Sequence, residues 1–208
     1  MALLLVRFWL VKNKSQQGEI MVEIKIFGKW SCEGIEVNDP GLKKYINLGP
    51  MLLPKTSGRF SQQQFYKSKM HIVERLINKL QVPGHQGKKH VLTSARAIGK
   101  MQIKYKIVKK AFEEIEKKTG KNPIEVLVRA IENAALREEI AGYQVGGIIV
   151  RRAVVTSPQR RVDLALKNIV QAAYRKAFGK RENMVEALVN EIIGAYNNDA
   201  NKSEAIKE

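Results

Sequence analysis

The chain has 208 residues and a mass of 23.6 kDa, one large domain or two small ones, long enough to bury ~70% of its unfolded surface and so not a disordered tail. Thirty-seven Lys and Arg against 20 Asp and Glu leave +17 and a pI near 10.0, a balance that self-repels unless something anionic lies against it. The single cysteine, Cys32, excludes an internal disulfide, and three scattered histidines are too few for a Cys/His zinc site; the chain reads as cytosolic, metal-free and partnered by a polyanion.

The apolar run Ala2 to Val11 is interrupted by Arg7 at about half the roughly 20 residues a spanning helix needs. Its positive charges, Lys12 and Lys14, follow it rather than precede it, against the order of a signal peptide. Met21 offers a second start, which makes residues 1–20 an extension. Alternation of apolar and charged residues over 22–27 predicts a short strand or tether. Gly, Pro and Asn punctuate 31–61, so residues 21–66 are expected to form an extended arm.

Helical spacing begins at Ile72, Val73, Leu76, Ile77 and Leu80 and stops at Pro83-Gly84. Residues 84–100 form a basic loop. A second helix is expected at about 102–118, with Ile103, Ile107, Val108, Ala111, Phe112 and Ile115 inward and its lysines outward. Asn122-Pro123 opens a third helix, and Glu125 is placed to complete a capping box. Gly146-Gly147 centres a β-hairpin at about 138–156. Ser157-Pro158 opens a helix ending near Gly179, with Val162, Ala165, Leu166, Ile169, Val170 and Ala173 inward. The last helix starts near Asn183 and buries Val185, Leu188, Val189, Ile192 and Ile193, leaving 197–208 as a flexible tail. The fold class is all-α: one helical domain of five to six helices over 67–196, with a projecting hairpin and an extended N-terminal arm.

The charge is uneven. Residues 40–112 carry 16 bases and one acid, Glu74; residues 140–181 carry nine bases and one acid, Asp163. A basic run is usually a helix face neutralised by ion pairs, but between Glu74 and Glu113 there is no carboxylate to pair with. No phosphate-cradling, dinucleotide, zincin or hydrolase-elbow motif is present, so enzyme chemistry lacks its starting residues. His85 and His90 are spaced poorly for a metal. Glu113, Glu114, Glu116 and the Glu138-Glu139 pair read as helix and strand surface rather than catalytic carboxylates, and Cys32 as a small packed hydrophobe.

Aromatic and basic residues interleave at Arg59-Phe60, Phe65-Tyr66-Lys67 and Tyr105-Lys106 in the manner of a base-stacking platform, although aromatics are only 7% of the chain and Phe112 and Phe178 read as core. Phosphate contacts should therefore dominate. Arg160 and Arg161 sit in the first turn of a helix, where the dipole disfavours cations unless an anion is bound.

Several stretches resemble a known family: Lys118-Thr119-Gly120-Lys121-Asn122-Pro123-Ile124-Glu125-Val126-Leu127, Glu132-Asn133, Val145-Gly146-Gly147, the run from Val154 to Arg161, and Leu164-Ala165-Leu166. From about Glu23 to Ala195 they are similar to small-subunit ribosomal protein seven. Phe27-Gly28-Lys29-Trp30, Ser57-Gly58-Arg59-Phe60 and Ile72-Val73-Glu74-Arg75-Leu76 resemble its archaeal and eukaryotic branch. The resemblance implies a primary binder of small-subunit rRNA that nucleates assembly of the subunit head, touches neighbouring ribosomal proteins and places its hairpin near exit-site tRNA. It implies no enzyme activity, cofactor or membrane. The expected RNA contacts are Lys55, Arg59, Arg75, Lys88, Lys89, Arg96, Lys100, Lys104, Arg151, Arg152, Arg160 and Arg161. A helical DNA-binding or chromatin-type protein is the alternative, and an RNA-modifying enzyme is third.

Overall fold

The structure, a computed structural model, describes residues 24–84, 93–94 and 97–207. The proposed 1–20 extension, the loop histidines His85 and His90, and Lys88, Lys89 and Arg96 lie outside the described residues.

Six α-helices are described: α1 (Ile72–Gln81), α2 (Met101–Thr119), α3 (Pro123–Ala134), α4 (Pro158–Ala177), α5 (Met184–Tyr196) and α6 (Glu204–Lys207). Strands β1 (Glu138–Val145) and β2 (Ile148–Val155) form one antiparallel hairpin between α3 and α4. The apolar stripes read from the sequence are the buried faces: Ile72, Leu76, Ile77 and Leu80 on α1, Val108, Phe112 and Ile115 on α2, and Val162, Ala165, Ile169 and Val170 on α4. Helix α5 is apolar on most sides and sits centrally, packed on α2, α3, α4 and α6. Two residues depart from expectation. Ile103 is exposed, because α2 begins before it reaches the core, and Phe178 lies exposed beyond the end of α4, tilted against Tyr174.

Capping chemistry sets several helix ends. Asn122 Oδ1 accepts the Ile124 N–H at 3.0 Å while its Nδ2 donates to Ser31 O at 2.7 Å. The reciprocal glutamate bond of a capping box is found at α5, where Glu186 accepts the Asn183 N–H at 3.4 Å, rather than at the expected Glu125. Helix α1 is capped by a histidine: His71 Nδ1 accepts the Val73 N–H at 3.1 Å. The neutral ring therefore carries its proton on Nε2, 3.6 Å from Cys32 Sγ. Burial pushes the His71 imidazole down to about 4 and the Cys32 thiol up to about 11.

The expected arm has no long regular element, yet it is not extended away from the body. Ile26, Trp30, Cys32, Leu42 and Ile46 belong to the core. Of the strand or tether expected at 22–27, the described part, from residue 24, leads into a tight turn, with Ile26 bridged to Trp30 and both Phe27 and Gly28 at positive φ. Phe27 and Trp30 pack edge-on against Phe112, and Phe27 against Tyr105 at 4.7 Å. Lys29 pairs with Glu113 at 2.6 Å and Trp30 Nε1 donates to Glu116 at 3.1 Å, so the acidic end of α2 anchors this turn.

The C-terminal segment also docks rather than frays. Glu191 of α5, fully buried, accepts from Ser203 Oγ at 2.7 Å, the Ala205 N–H at 2.9 Å and Lys176 Nζ at 2.7 Å. A buried carboxylate needs these donors, and they pull α6 onto the body.

Candidate nucleic-acid interface

The hairpin projects from its base. Both residues of its two-residue turn, Gly146 and Gly147, have positive φ, the requirement of the tight primed turn that matches strand twist. Arg152 pairs with Ala141 and Arg151 with Gly142. Being adjacent in one strand, the two exposed arginines point to opposite faces, so they cannot converge on one phosphate as neighbours in sequence suggest. Around them Ile140, Val145, Ile148, Ile149 and Val155 are exposed.

The arginines opening α4 already hold carboxylates. Arg160 makes a bidentate pair with Glu139 of β1, at 2.7 and 2.9 Å, and its side chain remains 57% exposed. This pair ties the hairpin base to α4. Arg161 bonds Asp39 at 2.8 Å and is only 12% exposed. Glu132 then accepts the N–H groups of Asn38 and Asp39 at 2.6 and 3.1 Å, and Asn133 Nδ2 donates to Ala195 O at 2.9 Å. The Glu132-Asn133 motif thus binds the N-terminal segment and the end of α5. The anion that the sequence demands at this helix start is supplied, in the free chain, by Glu139 and Asp39. Arg161 is structural here.

Arg75, expected to contact RNA, is an interior tie instead. Its side chain is 1% exposed, donating to Tyr45 O at 2.9 Å and to Asp163 at 3.0 Å. In this conformation its guanidinium serves Tyr45 and Asp163 and is not presented to a partner. Glu74, the lone acid of the 40–112 block, is equally unavailable to neutralise cations: it is buried and accepts from Thr56 N and Oγ1, each at 2.7 Å.

What the fold assembles instead is a groove between the 3-10 turn Tyr66–Lys69, α1 and the start of α4, lined by Gln64, Phe65, Lys67, Lys79, Arg160 and Lys167. Asp163 is the carboxylate in it, and it is shared by Lys67 at 2.8 Å and Arg75. These donors hold the Asp163 carboxyl below the usual range despite burial. Burial, then repulsion from Lys67 and Lys167, pushes Lys79 below the usual lysine range, with Asp163 opposing only in part. Nothing in the sequence groups Lys67, Lys79 and Lys167: the three lie on separate elements, α1–α4 packing joins the last two, and the bond of Lys67 to Asp163 brings the 66–69 turn to them.

Lys100 and Lys104 mark a second cationic point. Lys100 precedes α2 in the left-handed conformation and is exposed; Lys104 is half-buried, and burial followed by the charge of Lys100 lowers its pKa. Gly99 N–H donates to Gln81 O at 3.2 Å, placing this helix start against the end of α1, the helix that carries Lys79. Lys55 and Arg59 are exposed on the segment leading to the 66–69 turn. Among the described residues no group of three or more His, Cys, Asp or Glu is arranged to hold a metal, and no helix is long and apolar enough to cross a membrane.

A family model described as ribosomal protein S7p/S5e matches residues 42–208. The small ribosomal subunit protein uS7 of Nanoarchaeum equitans (strain Kin4-M) is 49% identical over 186 residues, covering 89% of this chain and 93% of that protein. The protein of the same name from Methanococcoides burtonii (strain DSM 6242 / NBRC 107633 / OCM 468 / ACE-M) is 46% identical over 176 residues, covering 85% and 89%. With the family matched across most of its length and its motif residues placed as hairpin, caps and interhelical ties, the chain belongs to the ribosomal protein S7p/S5e family of the small ribosomal subunit.

Proposed function

We propose that this chain is a structural, non-catalytic constituent of the small subunit in the cytoplasmic ribosome, and that it binds rRNA directly as a primary binder. The observation that carries the reading is the groove of Lys67, Lys79, Lys167 and Arg160, where cations repel one another and Asp163 is already committed to Lys67 and Arg75. Such a surface gains most by accepting phosphates, whose contacts position a nucleic acid without reading its bases. Lys55, Arg59, Lys100 and Lys104 extend it, while Lys88, Lys89 and Arg96, outside the described residues, are proposed as RNA contacts from the sequence alone. Arg160 contributes by exchanging Glu139 for phosphate.

The same reading has the chain nucleate assembly of the subunit head and carry its hairpin, through Arg151 and Arg152, to exit-site tRNA. Direct binding is tested by a salt series on an rRNA three-way-junction fragment, with duplex DNA of equal length as competitor. If six to ten phosphates are contacted, affinity for the rRNA falls about a thousandfold or more between 50 and 200 mM salt. Salt-indifferent binding refutes the reading, and a preference for DNA favours the chromatin-type alternative. Reconstitution of the subunit without the chain tests nucleation: the other head proteins should fail to join. Alanine at both Arg151 and Arg152 should weaken tRNA retention at the exit site.

A further inference from the structure

Phe65 is a large aromatic that folding leaves 62% exposed. Its φ of +66° lies in the left-handed region, where a bulky residue is an outlier that persists only if its surroundings hold it there. Glycine or asparagine would take this position with less strain, and the core gains little from the ring. The residue caps the 3-10 turn Tyr66–Lys69, the turn that delivers Lys67 to Asp163, and it lines the cationic groove beside Gln64. One strained residue therefore sets a cation into the groove and an open π face at its rim.

That combination fits a particular form of RNA. In a duplex each base is already stacked on its neighbours, whereas an unpaired base has a free face that an aromatic side chain can cover while lysines hold its backbone. We infer that Phe65 stacks on an unpaired base of rRNA whose flanking phosphates lie on Lys67, Lys79 and Lys167. A basic protein segment is disfavoured because the groove already repels cations and its one carboxylate is engaged, and an acidic one would leave the open face of Phe65 without a stacking partner. The inference rests on the rRNA-binding reading above and adds the kind of nucleotide recognised.

The test uses the full chain with two RNAs of equal length, a small-subunit rRNA fragment containing unpaired nucleotides and a perfect duplex. Phe65→Ala should weaken binding to the first about tenfold or more, leaving duplex affinity, the slope of affinity against salt and the thermal midpoint unchanged. Phe65→Trp should retain the preference. Phe65→Gly should lose it while the thermal midpoint holds or rises, since the strain is relieved. Short-wave ultraviolet crosslinking should put a nucleotide adduct on the tryptic peptide 60–67 that Phe65→Ala abolishes. The inference is overturned if Phe65→Ala binds both RNAs as the parent does, loses both equally, or lowers the thermal midpoint in step with affinity. Crosslinking of this peptide in intact subunits to protein alone would overturn it too. Failure of the unsubstituted chain to bind rRNA with salt sensitivity would instead sink the reading beneath it.

Discussion

Replacing Lys79 with methionine should weaken rRNA binding and leave the protein as stable as before, or more so. Lys79 is half-buried between Lys67 and Lys167, and its pKa is depressed first by burial and then by those two charges. A base whose folded pKa lies below its unfolded value loses stability by being charged. The penalty is full below the folded pKa and is relieved as pH rises from there toward the unfolded value near 10.5. At neutral pH the methionine keeps the apolar stem and removes the penalty, so stability should stay within about 0.5 kcal/mol of the parent or exceed it. Each phosphate contact contributes about 0.7 to 0.9 to the slope of log affinity against log salt, roughly a threefold share of the loss between 50 and 200 mM. The variant's slope should be shallower by about that amount. Filter binding across the salt series and urea unfolding on the same preparations decide it. A lowered urea midpoint with an unchanged salt slope would show that Lys79 holds the fold and that phosphate does not lie on it.

Arg160→Ala should weaken RNA binding at little cost to stability, because its bond to Glu139 is largely exposed. Arg161→Ala should instead destabilise by about 1–3 kcal/mol, since it strands Asp39 in the network built on Glu132; urea titration separates the two. Glu191→Ala should cost about 3–5 kcal/mol, leaving Lys176 without its counter-ion and the Ser203 hydroxyl without its acceptor, and limited proteolysis should then cut within 199–207. His71 is held near 4 when folded against 6.5 unfolded, so the unfolded chain takes up the proton first and stability falls as pH drops from about 6.5 to about 4. The loss is about 1.4 kcal/mol per pH unit at most. His71→Asn keeps a capping acceptor without titrating there, and its urea midpoint should be flatter between pH 7 and 5 than that of the parent.

The helices were legible because each buries a stripe that repeats every three to four residues, as Ile72, Leu76 and Leu80 do, and because Pro123 and Pro158 mark their starts. The hairpin was legible because only glycine takes two successive positive φ values easily, and Gly146-Gly147 stand between β-branched runs. The docking of the N-terminal segment is not legible, since Ile26, Trp30 and Leu42 have no periodicity to reveal that they reach the core. Arg75 is illegible for a related reason: its counter-ion is 88 residues away, and a cation in a basic run looks free until the fold supplies Asp163. Arg160 and Arg161 look alike in sequence, and only the positions of Glu139 and Asp39 separate an exposed pair from an interior tie. Charge imbalance predicts that cations gather without enough carboxylates, but not that Lys67, Lys79 and Lys167 share one groove with Asp163, because three elements must pack before they meet.

Protein–RNA crosslinking in intact small subunits, with adducts located by peptide sequencing, tests most directly that this groove neutralises rRNA backbone. Nucleotide adducts should fall on peptides containing Lys67, Lys79 and Lys167 and spare that of Arg75. Adducts absent from all three lysines, or a neighbouring protein's acidic segment crosslinked to them instead, would contradict the account.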